Sequence, residues 1–182
     1  MDAGKRVADI ITWTRALLAL ALPLLGIFQG AKSLQLVIIL LITNWTADSV
    51  DGVLARRSKT QYKTWIGDHD LEIDMLISIG TLAYLAITGF VIWQIAAIYM
   101  LVWLVVFWRF GIPHVLGVLF QVPIYLLFII ISIREIPQTA IWLILWVIAA
   151  IIVTWPKFPK VIIPEFVGDV RDLIIKDKQE SD

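Results

Sequence analysis

Four aspartates carry the chemistry this sequence could perform. Asp48 and Asp51 are three residues apart and Asp70 and Asp74 four apart, the spacings that place side chains on one face of a helix. At about 100° per residue, Asn44, Asp48, Asp51, Gly52 and Ala55 fall on a single stripe. Asp70 and Asp74 share a face of the next segment, and Asp68 and Glu72 lie on the opposite one. Carboxylates gathered in a low dielectric repel one another, so they protonate, splay apart or are neutralised by cations. An all-oxygen donor set suits Mg²⁺ or Mn²⁺ better than Zn²⁺. A metal pair held by carboxylates is a recurring device for phosphoryl transfer. Gly52 and Ala55 leave room for a ligand to approach the backbone, and Arg56 adds a phosphate-binding fork. The blander alternative is that acids at helix ends merely sit in the headgroup zone. It suits Asp68, Glu72 or any single acid better than four aspartates on two facing stripes.

The elements that must position these side chains are apolar helices. Of 182 residues, 60% are hydrophobic and only 16% charged, with nine tryptophans and no cysteine. Soluble domains average roughly 45–50% apolar and about 25% charged, so an ordinary soluble globule and a disordered chain are both excluded. Zero formal net charge argues against a general nucleic-acid binder. The lack of cysteine removes disulfides, thiolate metal sites and a cysteine nucleophile.

A bilayer core takes roughly 20 apolar residues in a helix. The hydropathy pattern predicts six such spans in an all-α, polytopic membrane protein. The first covers Ala16–Ala31, preceded by an N-terminal interfacial helix over Asp2–Thr14. The second starts at Leu34 and turns polar toward Arg56 and Arg57. The uncharged run from Met75 to Trp108 is too long for one crossing and is divided near Thr88–Gly89. Gly111–Ser132, kinked at Pro123, and Ile136–Trp155 complete the set. Trp13, Trp93, Trp108 and Trp155 fall at span ends, where an aromatic belt belongs. Residues 1–156 form the membrane domain, and 157–182 a surface tail of different composition. With both termini inside, thirteen of the fifteen lysines and arginines face the cytoplasm, leaving only Lys32 and Arg134 outside. No cleavable signal peptide is expected, and the compact layout points to a bacterial plasma membrane.

The stretch Asp48-Ser-Val-Asp51-Gly52-Val-Leu-Ala55-Arg56, followed by Gly67 and Asp70-Leu-Glu-Ile-Asp74, resembles the signature of the CDP-alcohol phosphatidyltransferase family, D-x2-D-G-x2-A-R then G-x3-D-x3-D. The first half matches at every fixed position. In the second, Gly67 stands one place nearer to Asp70 than the pattern has it. The six-span layout and Thr12-x2-Arg15 entering the first span look like this family as well.

The resemblance implies a transferase that moves a phosphatidyl group from a CDP-linked lipid, usually CDP-diacylglycerol, to a small alcohol such as glycerol 3-phosphate, releasing CMP. Asp48, Asp51, Asp70 and Asp74 would hold two divalent ions. Asp51, Gly52, Ala55 and Arg56 would border the nucleotide, and Asp74 would act as general base. Members often form homodimers. A phosphorylated acceptor needs nearby bases, for which Arg109, His114 and Lys63 are candidates beside their commoner role as anchors to anionic lipid. Two other classes remain: a non-catalytic membrane protein that binds cytidine nucleotides or lipid, and an ion carrier using the acids as its path. His69-x4-Asp74 as an acyltransferase pair is weak, since His69 lies off the Asp74 face. Asn44-Trp-Thr46 spells a glycosylation sequon but lies inside a span.

Overall fold

A computed structural model describes the backbone of residues 3–57 and 70–155 and the side chains of 14–49 and 71–155, together with isolated positions at 160, 164, 168 and 171. All regular structure among these residues is helical. The helices are α1 (Ala3–Gln29), α2 (Leu34–Arg57), α3 (Asp70–Ile87), α4 (Trp93–Phe110), α5 (His114–Glu135) and α6 (Pro137–Thr154). A 3₁₀ turn, Gly30–Ser33, joins α1 to α2. The tail expected over 157–182 lies outside the described residues apart from the isolated positions.

Glycine and proline set most of the boundaries. Gly30, Gly89 and Gly111 have positive φ, a conformation costly for residues with a Cβ. Gly89 turns the chain between α3 and α4, in the long uncharged run where the sequence predicts a division. Gly111 caps α4, Pro113 stands just before α5, and Pro137 opens α6, each where its φ suits. Pro23 and Pro123 lie inside unbroken helices. Near the latter, the Tyr99 hydroxyl of α4 donates to the Phe120 carbonyl, beside the carbonyl that Pro123 leaves without its N–H partner. Helix α1 runs without a break through Thr14. The backbone therefore shows one helix where the sequence suggested a surface helix followed by a span.

Four helical stretches are long and apolar enough to cross a membrane: residues 14–49, Trp93–Phe110, His114–Glu135 and Pro137–Thr154. The first contains the apolar parts of both α1 and α2, separated by the 3₁₀ turn. Helix α3 opens with Asp70, Glu72 and Asp74 and is otherwise uncharged. The surface is the reverse of a soluble protein's. Leu20, Phe28, Ile98, Leu104 and Val153 are exposed, whereas Arg15, Ser33, Asn44, Ser78, Thr81 and Ser132 are buried. Apolar outside and polar inside is what a lipid solvent selects. Ser78, Thr81 and Ser132 donate to carbonyls one turn back in their own helices, so their burial leaves no donor unmet. Trp93, Trp108 and Trp155 stand exposed at helix ends, Trp108 at 87%, as an interfacial belt requires.

Helix α1 packs most closely on α3. The Arg15 side chain meets Asp74, Ala19 touches Gly80, and Gly26 lies beside Tyr84 and Ile87. Both numbers rise together, so the two helices run parallel. Helix α2 returns antiparallel, because Arg15 and Asp48 pair at equal sequence distances from the turn between them. At the turn end, Ser33 Oγ donates to the Gly30 carbonyl at 2.7 Å and lies 3.2 Å from Tyr84 Oη. Polar contacts thus tie the three helices at both ends of an apolar core that includes Leu22, Val37, Ile38, Leu41, Ile77 and Leu85.

Candidate functional site

Arg15 is the centre of the polar cluster. It projects from α1 at the entry to the apolar run and is only 3% exposed. Each of its three side-chain nitrogens has a different partner. Nη1 pairs with Asp48 Oδ1 at 2.8 Å, Nη2 pairs with Asp74 Oδ1, and Nε donates to Asn44 Oδ1 at 3.3 Å. The helical register explains the arrangement. Asn44 and Asp48 are one turn apart on α2 and face the same guanidinium, while Asp74 reaches it from α3. Two successive helices therefore bring carboxylates to one point, with the planar fork of arginine from α1 between them.

The carboxylates are not sealed in. The Asp48 side chain is 40% exposed and that of Asp74 31%. At an effective dielectric near 20, each charge pair at this range is worth about 4 kcal/mol before desolvation. Removing the guanidinium from water costs several kcal/mol in return. The cluster therefore adds little net stability, but it strongly specifies where the two acids sit. Removing one partner of such a pair costs about 3–5 kcal/mol.

Of the residues singled out from the sequence, Asp48 and Asp74 are brought together. Asp51, Gly52, Ala55 and Arg56 lie on the described backbone of α2, and Asp70 is the first residue of α3, but their side chains are outside the described residues. Lys63 falls in the segment 58–69 between α2 and α3, which is outside them altogether. Arg109 is exposed in the last turn of α4, its guanidinium 5.1 Å from the Phe110 ring centroid. His114 is exposed at the start of α5. A Cβ at Gly117 would meet Leu71, so the start of α5 lies beside the start of α3. The corner carrying Arg109 and His114 is thus at the acidic end of the bundle.

An aromatic wall borders the acids. The Trp45 and Tyr125 rings meet edge to face with centroids 5.2 Å apart, and Trp45 and Trp146 are tilted at 5.2 Å. Trp146 Nε1 donates to Thr46 Oγ1 at 2.8 Å, joining α6 to α2. Tyr125 reaches this wall from α5, its ring against Trp45, which stands between Asn44 and Asp48 in the sequence of α2.

The donors present fit a hard divalent cation in kind, being carboxylates with an amide oxygen nearby. Among the described residues no group of three or more histidine, aspartate or glutamate side chains gathers in one place. The further carboxylates on the two stripes, Asp51 and Asp70, are about one helical turn from Asp48 and Asp74 on described backbone.

Sequence reasoning counted Arg15 among the basic residues of the inner face and, in Thr12-x2-Arg15, among the family-like features, but gave it no part in the site. The available signal was a cation at the threshold of an uncharged run, across a short turn from an acidic stripe. The aromatic wall left no local signal, since nine tryptophans in an apolar chain are unremarkable singly. No protein-family profile, no curated protein and no solved structure matches the chain.

Proposed function

We propose that the protein is an integral-membrane phosphotransferase of the CDP-alcohol phosphatidyltransferase kind. It transfers a phosphatidyl group from a CDP-linked lipid such as CDP-diacylglycerol to the hydroxyl of a small alcohol, glycerol 3-phosphate being the leading candidate, and releases CMP. One observation carries the reading: Asp48 of α2 and Asp74 of α3 converge on one point while keeping part of their surface exposed. The resemblance of 48–56 and 70–74 to the family signature supplies the chemistry.

In this proposal Asp48, Asp51, Asp70 and Asp74 hold two Mg²⁺ or Mn²⁺ ions, which when bound offset charge on the diphosphate. Asp51, Gly52, Ala55 and Arg56 border the cytidine and its phosphates. Asp74 accepts the proton of the acceptor hydroxyl as that oxygen attacks phosphorus. Arg109, His114 and Lys63 attract an anionic acceptor to the acidic end. Six spans with both termini in the cytoplasm, in a bacterial plasma membrane and as a homodimer, complete the proposal.

The test is CMP release by purified protein in lipid vesicles containing CDP-diacylglycerol, with Mg²⁺ and a panel of acceptors. Release should stop with EDTA and fall about 100- to 10,000-fold in Asp74→Asn, the usual worth of a general base. Failure of the wild-type protein to release CMP with any acceptor would end the enzyme reading. A second reading, cytidine-nucleotide binding without turnover, is favoured by the engagement of Asp74 by Arg15. It expects nucleotide binding of equal strength in both proteins and no CMP.

A further inference from the structure

Arg15 is spent entirely inside the protein. Its three nitrogens meet three side chains on two other helices, and almost none of it reaches solvent. An anchor to anionic lipid needs its charge at the surface, so that role does not describe it. An ordinary packing residue needs no charge, and a cation inside an apolar helix bundle is retained only where it has partners. The partners here repel each other: without a positive charge between them, Asp48 and Asp74 would push α2 away from α3.

We infer that Arg15 is the resident counter-ion and positioning residue of the acidic site, a fixed cation that holds Asp48 and Asp74 in register across three helices. It places the acids before any divalent ion arrives and balances part of their charge by itself. The clasp requires only that the two acids converge; its link to metal binding rests on the proposed function. Lysine is a poor substitute, since a single ammonium cannot present three nitrogens in the plane of a fork.

The experiment follows thermal unfolding of purified full-length protein in detergent with EDTA, then with millimolar Mg²⁺. In EDTA, Arg15→Gln should lower Tm by about 10 °C, the scale set by breaking a buried ion pair in a chain of this size. Arg15→Lys should fall between it and the wild type. The decisive variants are Arg15→Gln/Asp48→Asn and Arg15→Gln/Asp74→Asn, each of which should recover at least half of the loss by removing the repulsion. If instead the losses simply add, Arg15 is only a packing residue and the inference is overturned. If Arg15→Gln yields no folded protein, folded yield on gel filtration replaces Tm. Recovery in Arg15→Gln/Asp48→Asn/Asp74→Asn then supports the clasp, and continued absence overturns it. Mg²⁺ should raise the Tm of Arg15→Gln more than that of the wild type, because it replaces the lost charge. Recovery by acid neutralisation but not by Mg²⁺ upholds the clasp and removes the metal site. An equal Mg²⁺ shift in both proteins, without recovery by neutralisation, does the reverse.

Discussion

Replacing Gly80 with alanine should damage the acidic cluster from a distance. Gly80 lies on α3 where that helix presses on α1, one turn past Arg15 on the α1 side. A Cβ there would overlap the Ala19 carbonyl oxygen and come within 3.2 Å of the Ala19 carbonyl carbon and 3.3 Å of its Cα. All three atoms are backbone, so no side chain can rotate away. Carbon atoms pack best at about 3.5–4.0 Å, and relief of the overlap moves α1 back by about 1 Å. Overpacking costs about 1–3 kcal/mol, at the upper end where backbone meets backbone. The better helix propensity of alanine returns about 1 kcal/mol. The net loss of about 2 kcal/mol lowers Tm by roughly 4–8 °C in a chain of this length. The same retreat draws Arg15 away from Asp74 of α3 and loosens that pair, and a shift of this size can cost about 100-fold in rate. The assays are intrinsic tryptophan fluorescence on heating and CMP release. Gly117→Ala is the control, since the nearest atoms its Cβ would meet are Cδ1, Cδ2 and Cγ of the Leu71 side chain, which can turn aside. Should Gly80→Ala match Gly117→Ala in both assays, the close approach of α1 to α3 is not what positions Arg15.

Trp146→Phe keeps the ring against Trp45 but loses the bond to Thr46. It should cost about 0.5–1.5 kcal/mol, and Thr46→Val should add little to it in a double-mutant cycle followed by thermal unfolding. Gly111→Ala forces a Cβ into a conformation with φ 73° and ψ −162°, with an expected loss of about 1–3 kcal/mol. A Tm equal to that of the wild type would show that the α4–α5 corner is free to rearrange.

The amino-acid sequence by itself determined the lipid-facing character of the chain and most of its punctuation. The division expected near Thr88–Gly89 falls where α3 ends at Ile87 and Gly89 turns the chain. The span expected at Gly111–Ser132 is helix His114–Glu135, and that at Ile136–Trp155 is Pro137–Thr154. These features are local: apolar length, a missing Cβ and a missing N–H act within a few residues of where they are written. The spacing of Asp48 with Asn44 and of Asp74 with Asp70 was legible for the same reason. Only tertiary structure decided that Arg15 stands between Asp48 and Asp74, that Gly80 must be bare for Ala19 to approach, and that Trp45, Tyr125 and Trp146 meet. Each of those contacts joins different helices, and depends on how far each helix is rotated and slid against its neighbours. That choice is made by the summed packing of whole faces, so no single stretch of sequence records it.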